Sequence, residues 1–456
     1  MRQESKSVID DVISRLWIAP ISNTHIELAV KIAERCVGVY DPDLKEMFCD
    51  PRRFTVGEFC PKFALSNGAT LKGKSVYIIM IPGPYKTPEE LVERACITSR
   101  AAKENGAEKV ALLATDMPHA RQDRGVDEDE KSKGEANTVS WHASQFKAAG
   151  IDEVITTHAH TPRINAFFAK EYGLLTPELY DKFNPNDERT QEIGKKIFKS
   201  ISPHAILADY LRYHSWLAQT EEGRQYLANG GDRLALKAMD KGNQWFIDQL
   251  QLALFLDNLK KIYCKKARTA KNDPKKVEVP IVWVSENFQT LDGMVEINAD
   301  DIMDTAGTMM RAVEWSDQGN ICADTGKSYG TPEDRLVYFS HACLGGEGHL
   351  GVQERICHSL PAREVITTNA RAYIENSQYY RFKAKCTVLR FAGLWADAIL
   401  ANEAGHDVTR RYTDFPDEES QHNFLNHMYR LKRHSRHFMV EESELRERQI
   451  HFYLRE

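Results

Sequence analysis

Hydrophobic and polar positions fall into a regular order early in the chain. Ser75–Ile81 (SVYIIMI) is a short unbroken apolar run ended by Pro82-Gly83-Pro84, the pattern of a strand buried on both faces. Thr87-Pro88-Glu89-Glu90 then supplies an N-cap, a proline at the first helical position and the acid of a capping box. The helix so opened runs over LVERACITSRAAKEN and stops at Gly106, a residue suited to the left-handed C′ position. Val110–Thr115 reads as a second strand, Thr138–Ala149 as a second helix ended by Gly150, and Glu153–Thr157 as a third strand. Strand and helix alternating at these lengths predict a doubly wound parallel α/β sheet. Ligands of such sheets bind beyond the carboxyl ends of the strands. Those ends lead into Met117–Arg124 and His158–Arg163.

The pattern weakens further on. Residues 169–235 read as mixed helix and loop, punctuated by Pro177, Pro185, Gly223, Gly230 and Gly231. A second α/β unit opens near Leu234, with an amphipathic helix over Phe246–Leu259 and strands in Val277–Val284 and Leu336–Ser340. Pro280 confines the first of these strands to its second half. The tail beyond Glu403 is rich in charge and histidine and reads as partly helical. The expected division is an N-terminal α/β domain over 1–170, a C-terminal α/β domain over 171–402 and a helical extension over 403–456.

Composition narrows the class. At 42% hydrophobic and 28% charged, the 456-residue chain carries enough apolar material for large cores. Sixty basic against 66 acidic residues leaves a net charge of −6, which argues against a partner held by phosphate neutralisation, so no nucleic acid is expected. The apolar runs fall well short of the ~20 residues of a bilayer span, and MRQESKSVIDD has no apolar segment of the kind that directs secretion. Nine scattered cysteines without a CxxC pair fit reduced thiols. A cytoplasmic protein without membrane contact is the expectation.

The sharpest chemistry lies in Asp300-Asp301-Ile302-Met303-Asp304-Thr305-Ala306-Gly307-Thr308. Two adjacent carboxylates precede a small hydroxyl-bearing turn at the start of a helix. Consecutive backbone N–H groups and the positive end of the helix make such a turn an anion cradle, while the carboxylates can accept hydrogen bonds from the vicinal hydroxyls of a sugar. A ribose bearing a 5-phosphate would satisfy both halves. The same residues would also serve as an acidic cap on an ordinary helix.

DDIMDTAGT resembles the ribose-5-phosphate loop of the ribose-phosphate diphosphokinase (phosphoribosyl diphosphate synthetase) family, a loop that phosphoribosyltransferases share. Four further segments are similar to that family in order and approximate spacing. Ala120-Arg121-Gln122-Asp123-Arg124 resembles its ATP-side ARQD signature, and Val154–Phe168 the stretch carrying its metal-binding histidine. Lys265-Lys266-Ala267-Arg268 resembles the K-x-R of its catalytic loop, and Phe54-Thr55-Val56-Gly57-Glu58 its adenine-holding turn. The resemblance implies two phosphoribosyltransferase-like (Rossmann-like) domains facing each other, a homo-oligomer, and Mg²⁺-dependent diphosphoryl transfer from ATP. It assigns Phe54, Glu58, Arg121, Gln122 and Asp127 to ATP, and Asp300, Asp301, Asp304, Thr305, Ala306, Gly307 and Thr308 to the ribose phosphate. His160, with His158 and His204, falls to the metal, and Lys266 and Arg268 to catalysis. Residues 265–276 hold six basic residues and one acid, as a loop closing over transferring phosphoryl charge would, or a plain solvated loop.

The chain also departs from the family. Val56 stands where the adenine turn has aspartate, and His158 where the metal segment has an acid. His204 falls near the position of a metal aspartate, with Asp209 the nearest carboxylate. AMDKG (Ala238–Gly242) replaces a glycine-rich turn with Asn243 at its second glycine, and chain is added between Phe168 and Ser202 and after Glu403. Three readings follow. The acceptor is ribose 5-phosphate; or it is a larger ribose 5-phosphoester such as ADP-ribose, in a remodelled pocket; or the chain is a non-catalytic regulatory homologue. A phosphoribosyltransferase is disfavoured, because ARQD and the paired histidines have no role in one.

Overall fold

Short apolar strands dominate both halves of the chain and pair almost entirely in parallel. The structure, a computed structural model, describes residues 12–22, 26–37, 49–65, 68–83, 86–124, 134–265, 267–268, 277–286, 288–342, 349–371 and 380–430. It divides into two units. One holds the chain up to Ser202 together with Ala392–Arg411, and the other holds Pro203–Phe391 with Tyr412–Arg430. The division thus falls after Ser202, not at 170, and part of the expected extension belongs to the first unit.

In the first unit β1 (Leu16–Pro20), β2 (Ser75–Met80), β3 (Lys109–Ala114), β4 (Glu153–Thr157) and β5 (Phe198–Ile201) lie side by side in chain order, all parallel. Between these strands come α1 (Ile26–Val37), α2 (Pro88–Glu104), α3 (Thr138–Ala149), α4 (Arg163–Glu171), α5 (Pro177–Asp181) and α6 (Glu188–Gly194). The caps read from sequence are present: Thr87 accepts from the Glu90 N–H, and Gly150 ends α3 in the left-handed region.

Because side chains alternate across a strand, the sheet has two distinct faces. Val76, Ile78, Met80, Leu112 and Val154 share a core with Leu91, Ala95, Phe146 and Phe168 of α2–α4. Each of the larger side chains among them contributes ~1.5–3 kcal/mol by leaving water. The alternate positions meet α11 (Ala392–Glu403), a helix from far along the chain. Tyr77 donates to Glu403 Oε1 at 2.7 Å, Asn402 bonds Glu153, and Trp395 Nε1 donates to Thr157 Oγ1 at 3.0 Å. Lys109 and Lys199 close the Glu153 carboxylate at 2.7 and 2.6 Å. A helix distant in sequence therefore completes the first unit, which explains the shifted division.

The second unit begins with α7 (His204–Tyr213) and contains β6 (Leu234–Ala238), α8 (Gln244–Leu254), β7 (Lys260–Cys264), β8 (Ile281–Val284) and β9 (Val295–Met303). It continues with α9 (Gly307–Asp317), β10 (Asp334–Ala342), α10 (His349–Ser359), β11 (Glu364–Thr368) and β12 (Cys386–Leu389); α12 (Glu418–Arg430) also belongs here. Its seven strands are ordered β8-β7-β6-β9-β10-β11-β12, parallel except for β8, which runs antiparallel to β7. Pro280 separates β8 from the two-residue strand Val277–Glu278, as the sequence suggests. Strands are added on one side after β6 and on the other after β9. The point between those two strands is a topological switch, where open α/β sheets place their ligands. Asp300 and Asp301 lie in the last stretch of β9, just past the point where its pairing with β6 stops. Among the described residues no helix is long and apolar enough to cross a membrane.

Candidate active site

In the second unit the C-terminal part of β9 carries Asp300, half-buried, and Asp301, 5% exposed. Parallel pairing to β10 fixes this end of the strand, while pairing to β6 stops at Ala299. Burial, the neighbouring Asp301 charge and a hydrogen bond between the two hold the Asp300 carboxyl well above the usual carboxylate range; Asp240 adds to the effect and the Asn243 amide opposes it. Two carboxyls placed this close make ionisation of the second one unfavourable. Asn243, which replaces the expected glycine, donates its side-chain amide to Asp300 and its backbone N–H to Asp240 Oδ1 at 3.2 Å. A backbone approach has been exchanged here for a side-chain bond.

Asp304 and Thr305 are exposed, and Ala306 turns the chain with φ 60° before α9 begins. Ala306, the N-cap residue, has no side chain that could cap α9. A left-handed residue followed by helical ones folds successive N–H groups into one concavity, and a helix start adds positive potential to it. Met310 N–H returns to Ala306 O at 2.9 Å, so the helix proper is closed from its first turn. Carboxyls on the strand end and amides on the helix start are thus presented within one short segment, as a phosphorylated sugar requires.

The first unit carries the other group. After β3, the turn Met117–Arg124 has His119 in the left-handed region (φ 57°) and Gln122 N–H bonded to His119 O at 2.8 Å. Thr138 Oγ1 donates to Gln122 Oε1 at 2.5 Å, which ties the Gln122 carboxamide to the start of α3, while Arg121 and Arg124 are exposed. After β4, His158 is buried with φ 42°, and its N–H donates to Ile201 O at 2.9 Å. His160 is half-buried two residues later. His119 also pairs with Glu89 at 3.1 Å and lies 4.9 Å from the His142 ring. That arrangement was invisible in sequence, since Glu89 reads there only as a helix-start acid.

The turn at Phe54 is tight: Phe54 N–H donates to Glu58 O at 2.9 Å, Gly57 N–H donates to Phe54 O at 2.8 Å, and Gly57 takes φ 92°. Phe54 is 55% exposed and Val56 80%, so this phenylalanine is displayed rather than packed under an edge. Arg53 fixes the turn from behind through Gly57 O at 2.7 Å and an ion pair with Glu90.

His204 was assigned to the metal by resemblance. It sits instead in the core at the start of α7, 2% exposed, edge-on to Phe246 with ring centres 4.5 Å apart, and burial pulls its pKa down to about 3. That is the setting of a neutral packing residue. Asp209, the nearby alternative, is engaged by His422 Nδ1 at 2.8 Å. Among the described residues no three His, Cys, Asp or Glu side chains converge to hold a metal ion. Asp127 and Lys266 lie outside the described residues. Arg268 lies in a two-residue strand paired antiparallel with Val277.

No protein-family model matches the chain. Over 153 residues it is 29% identical to ribose-phosphate pyrophosphokinase 4 of Saccharomyces cerevisiae, a match covering 32% of this chain and 40% of that protein. The chain therefore spans well under half the length of this curated relative. In structure it is similar to phosphoribosylpyrophosphate synthetase from Mycobacterium smegmatis, with a TM-score of 0.58 and 20% identity over 86% of this chain and 99% of that one. At that identity the likeness speaks for the fold. The chain thus shares the fold of that synthetase and, over part of its length, sequence similarity with a ribose-phosphate pyrophosphokinase.

Proposed function

We propose that the protein transfers a diphosphoryl group from ATP to the anomeric hydroxyl of a ribose 5-phosphate unit. The reading rests most directly on the Asp300–Asp301 pair and the left-handed turn at Ala306, both at the switch point of the second unit's sheet. The turn amides hold the 5-phosphate, and the two carboxyls accept the 2- and 3-hydroxyl hydrogens. Arg121 and Gln122 hold the nucleotide phosphates, the latter fixed by Thr138, and Phe54 offers its exposed ring to the adenine. The new bond joins the anomeric oxygen to the β-phosphorus, the bond from that phosphorus to the α–β bridging oxygen breaks, and AMP leaves. Lys266 and Arg268 neutralise charge on the transferred group, as is usual where phosphoryl transfer is catalysed by positioning.

Mg²⁺ fits this donor set as an ion carried by the triphosphate. It commonly binds through substrate phosphates and only one or two protein groups, which agrees with the lack of a three-ligand cluster among the described residues. His160 is the protein group assigned to it. When bound, the metal polarises phosphoryl oxygens and aligns donor and acceptor.

One observation favours a larger acceptor. Asp304 and Thr305 are exposed, so a phosphate on this turn would meet no wall from those two residues, and a phosphoester such as ADP-ribose is admitted. The test is AMP formation by the purified full chain with ATP, Mg²⁺ and either ribose 5-phosphate or ADP-ribose. AMP with one acceptor supports the proposal and selects the reading; no AMP with either contradicts it.

A further inference from the structure

The loops after β3 and β4, assigned above to the nucleotide and its metal, are joined by a side chain that the family signatures do not single out. Arg163 opens α4 just past His160. Its Nε lies 3.2 Å from Asp123 Oδ2, and one terminal nitrogen donates to the backbone oxygen of the same Asp123 at 3.2 Å. The other terminal nitrogen donates to Asn186 Oδ1 at 3.3 Å. Asp123 is 6% exposed, and its carbonyl also accepts from Asn137 Nδ2 at 3.2 Å. The Asp123 carbonyl is thereby held by two hydrogen bonds and its carboxylate by an ion pair, one and two residues from Gln122 and Arg121. A planar fork can grip a carboxylate and a carbonyl at once; a single ammonium cannot.

Asn186 belongs to the chain added between Phe168 and Ser202, and that segment is seated firmly. Asp187 caps α6 by accepting from the Thr190 N–H at 3.0 Å. At the far end of α6, Gly194 lies so close to α4 that a Cβ there would stand 1.8 Å from Asn165 O. Asn165 in turn donates to Phe198 O at 2.7 Å, so α4 is wedged between β5 and α6.

We infer that Arg163 is a positioning residue that locks the ATP-side turn to the histidine loop, and that the added segment 169–201 buttresses it through Asn186 and Gly194. The inference rests on the proposed function for what the two loops bind, but the lock itself is a property of the first unit. The experiment therefore has two arms on the full chain. Amide hydrogen exchange is measured over 117–124 and 158–163 in wild type, Arg163→Ala and Asn186→Ala. Steady-state constants for ATP and acceptor are measured in the same proteins and in Arg163→Lys, with and without methylguanidinium.

Faster exchange in both loops is expected in Arg163→Ala, and a smaller increase in Asn186→Ala, whose exposed position keeps the fold intact. The KM for ATP should rise roughly tenfold or more in Arg163→Ala, the scale of losing a charge-assisted bond. The acceptor KM should stay near wild type, added methylguanidinium should recover much of the loss, and lysine should recover little. Unchanged exchange in both variants overturns the lock. Equal losses toward both substrates with no guanidinium recovery overturn the positioning role. A wild type without turnover contradicts the proposed function, while the exchange arm still decides the lock.

Discussion

Against α9 lies a buried ion pair whose removal has a calculable consequence. Lys237 on β6 and Glu296 on β9 are both fully buried, 3.0 Å apart. The Lys237 ammonium also bonds Asn320 Oδ1 at 2.7 Å, Ser316 Oγ at 3.1 Å and Ala312 O at 3.4 Å, all on α9 or just beyond it. Burial alone would push the Glu296 carboxyl up, but the Lys237 charge, with Asn298, Arg335 and Ser316, holds it below its ordinary 4.5. Lys237→Met leaves that carboxylate buried with Arg335, 3.6 Å away, as its remaining cation. Breaking a buried pair costs about 3–5 kcal/mol. The donors that remain place this case near 3 kcal/mol, roughly a 6–12 °C fall in midpoint for a unit of this size.

The sign of the pH dependence follows. A depressed carboxyl lends stability above its unfolded value that is lost as pH falls through the folded one, whereas the unpaired carboxyl of the variant is raised and costs stability as pH rises. The deficit of Lys237→Met should therefore be large at pH 7.5 and shrink toward pH 4. Adding Glu296→Leu should recover much of it. Urea and thermal unfolding of the full chain across this range is the assay. A single variant within about 1 kcal/mol of wild type at pH 7.5, well below the expected penalty, or a double variant worse than the single, would refute the reasoning.

Other outcomes are expected on the same grounds. Asp300→Asn should raise the midpoint of unfolding increasingly above pH 3.8, because the raised Asp300 carboxyl costs folding stability as pH rises. Gly194→Ala should destabilise by about 3 kcal/mol or more in urea, since its new methyl meets backbone rather than a movable side chain. With a folded pKa of about 3, His204 makes stability fall as pH drops below 6.5, because only the unfolded chain takes up the proton. His204→Phe should remove that slope in unfolding midpoints measured from pH 7 to 4, while turnover keeps its Mg²⁺ dependence.

Much of the first unit was legible because buried parallel strands are continuous apolar runs and its helix ends carry explicit chemistry. Thr87 and Gly150 mark their caps in sequence and occupy them in space. What closes the far face of that sheet was not legible. Helix α11 is apolar nearly all round, with ten of its twelve residues buried, so it announces burial but not which sheet it covers. β1 escaped notice for a related reason: LWIAP is short and ends in proline.

The acidic turn at position 300 was readable from its residue types, and its left-handed Ala306 is a conformation that an alanine does not advertise. The bond from Asn243 to Asp300 links residues 57 apart and could be found only in space. His204 is a position carried over by resemblance whose surroundings only the structure shows. It aligns near a ligand position, yet the aromatic wall of Phe246 gives it a core environment.

The central claim is that a diphosphoryl group moves intact to a ribose anomeric oxygen. The most direct measurement follows ATP labelled with ³²P at the β-phosphorus, incubated with the full chain, Mg²⁺ and the acceptor that yields AMP. The account predicts that all transferred label enters the sugar product and that the AMP formed carries none. Label recovered as ADP or as inorganic phosphate, with the acceptor unchanged, would contradict it.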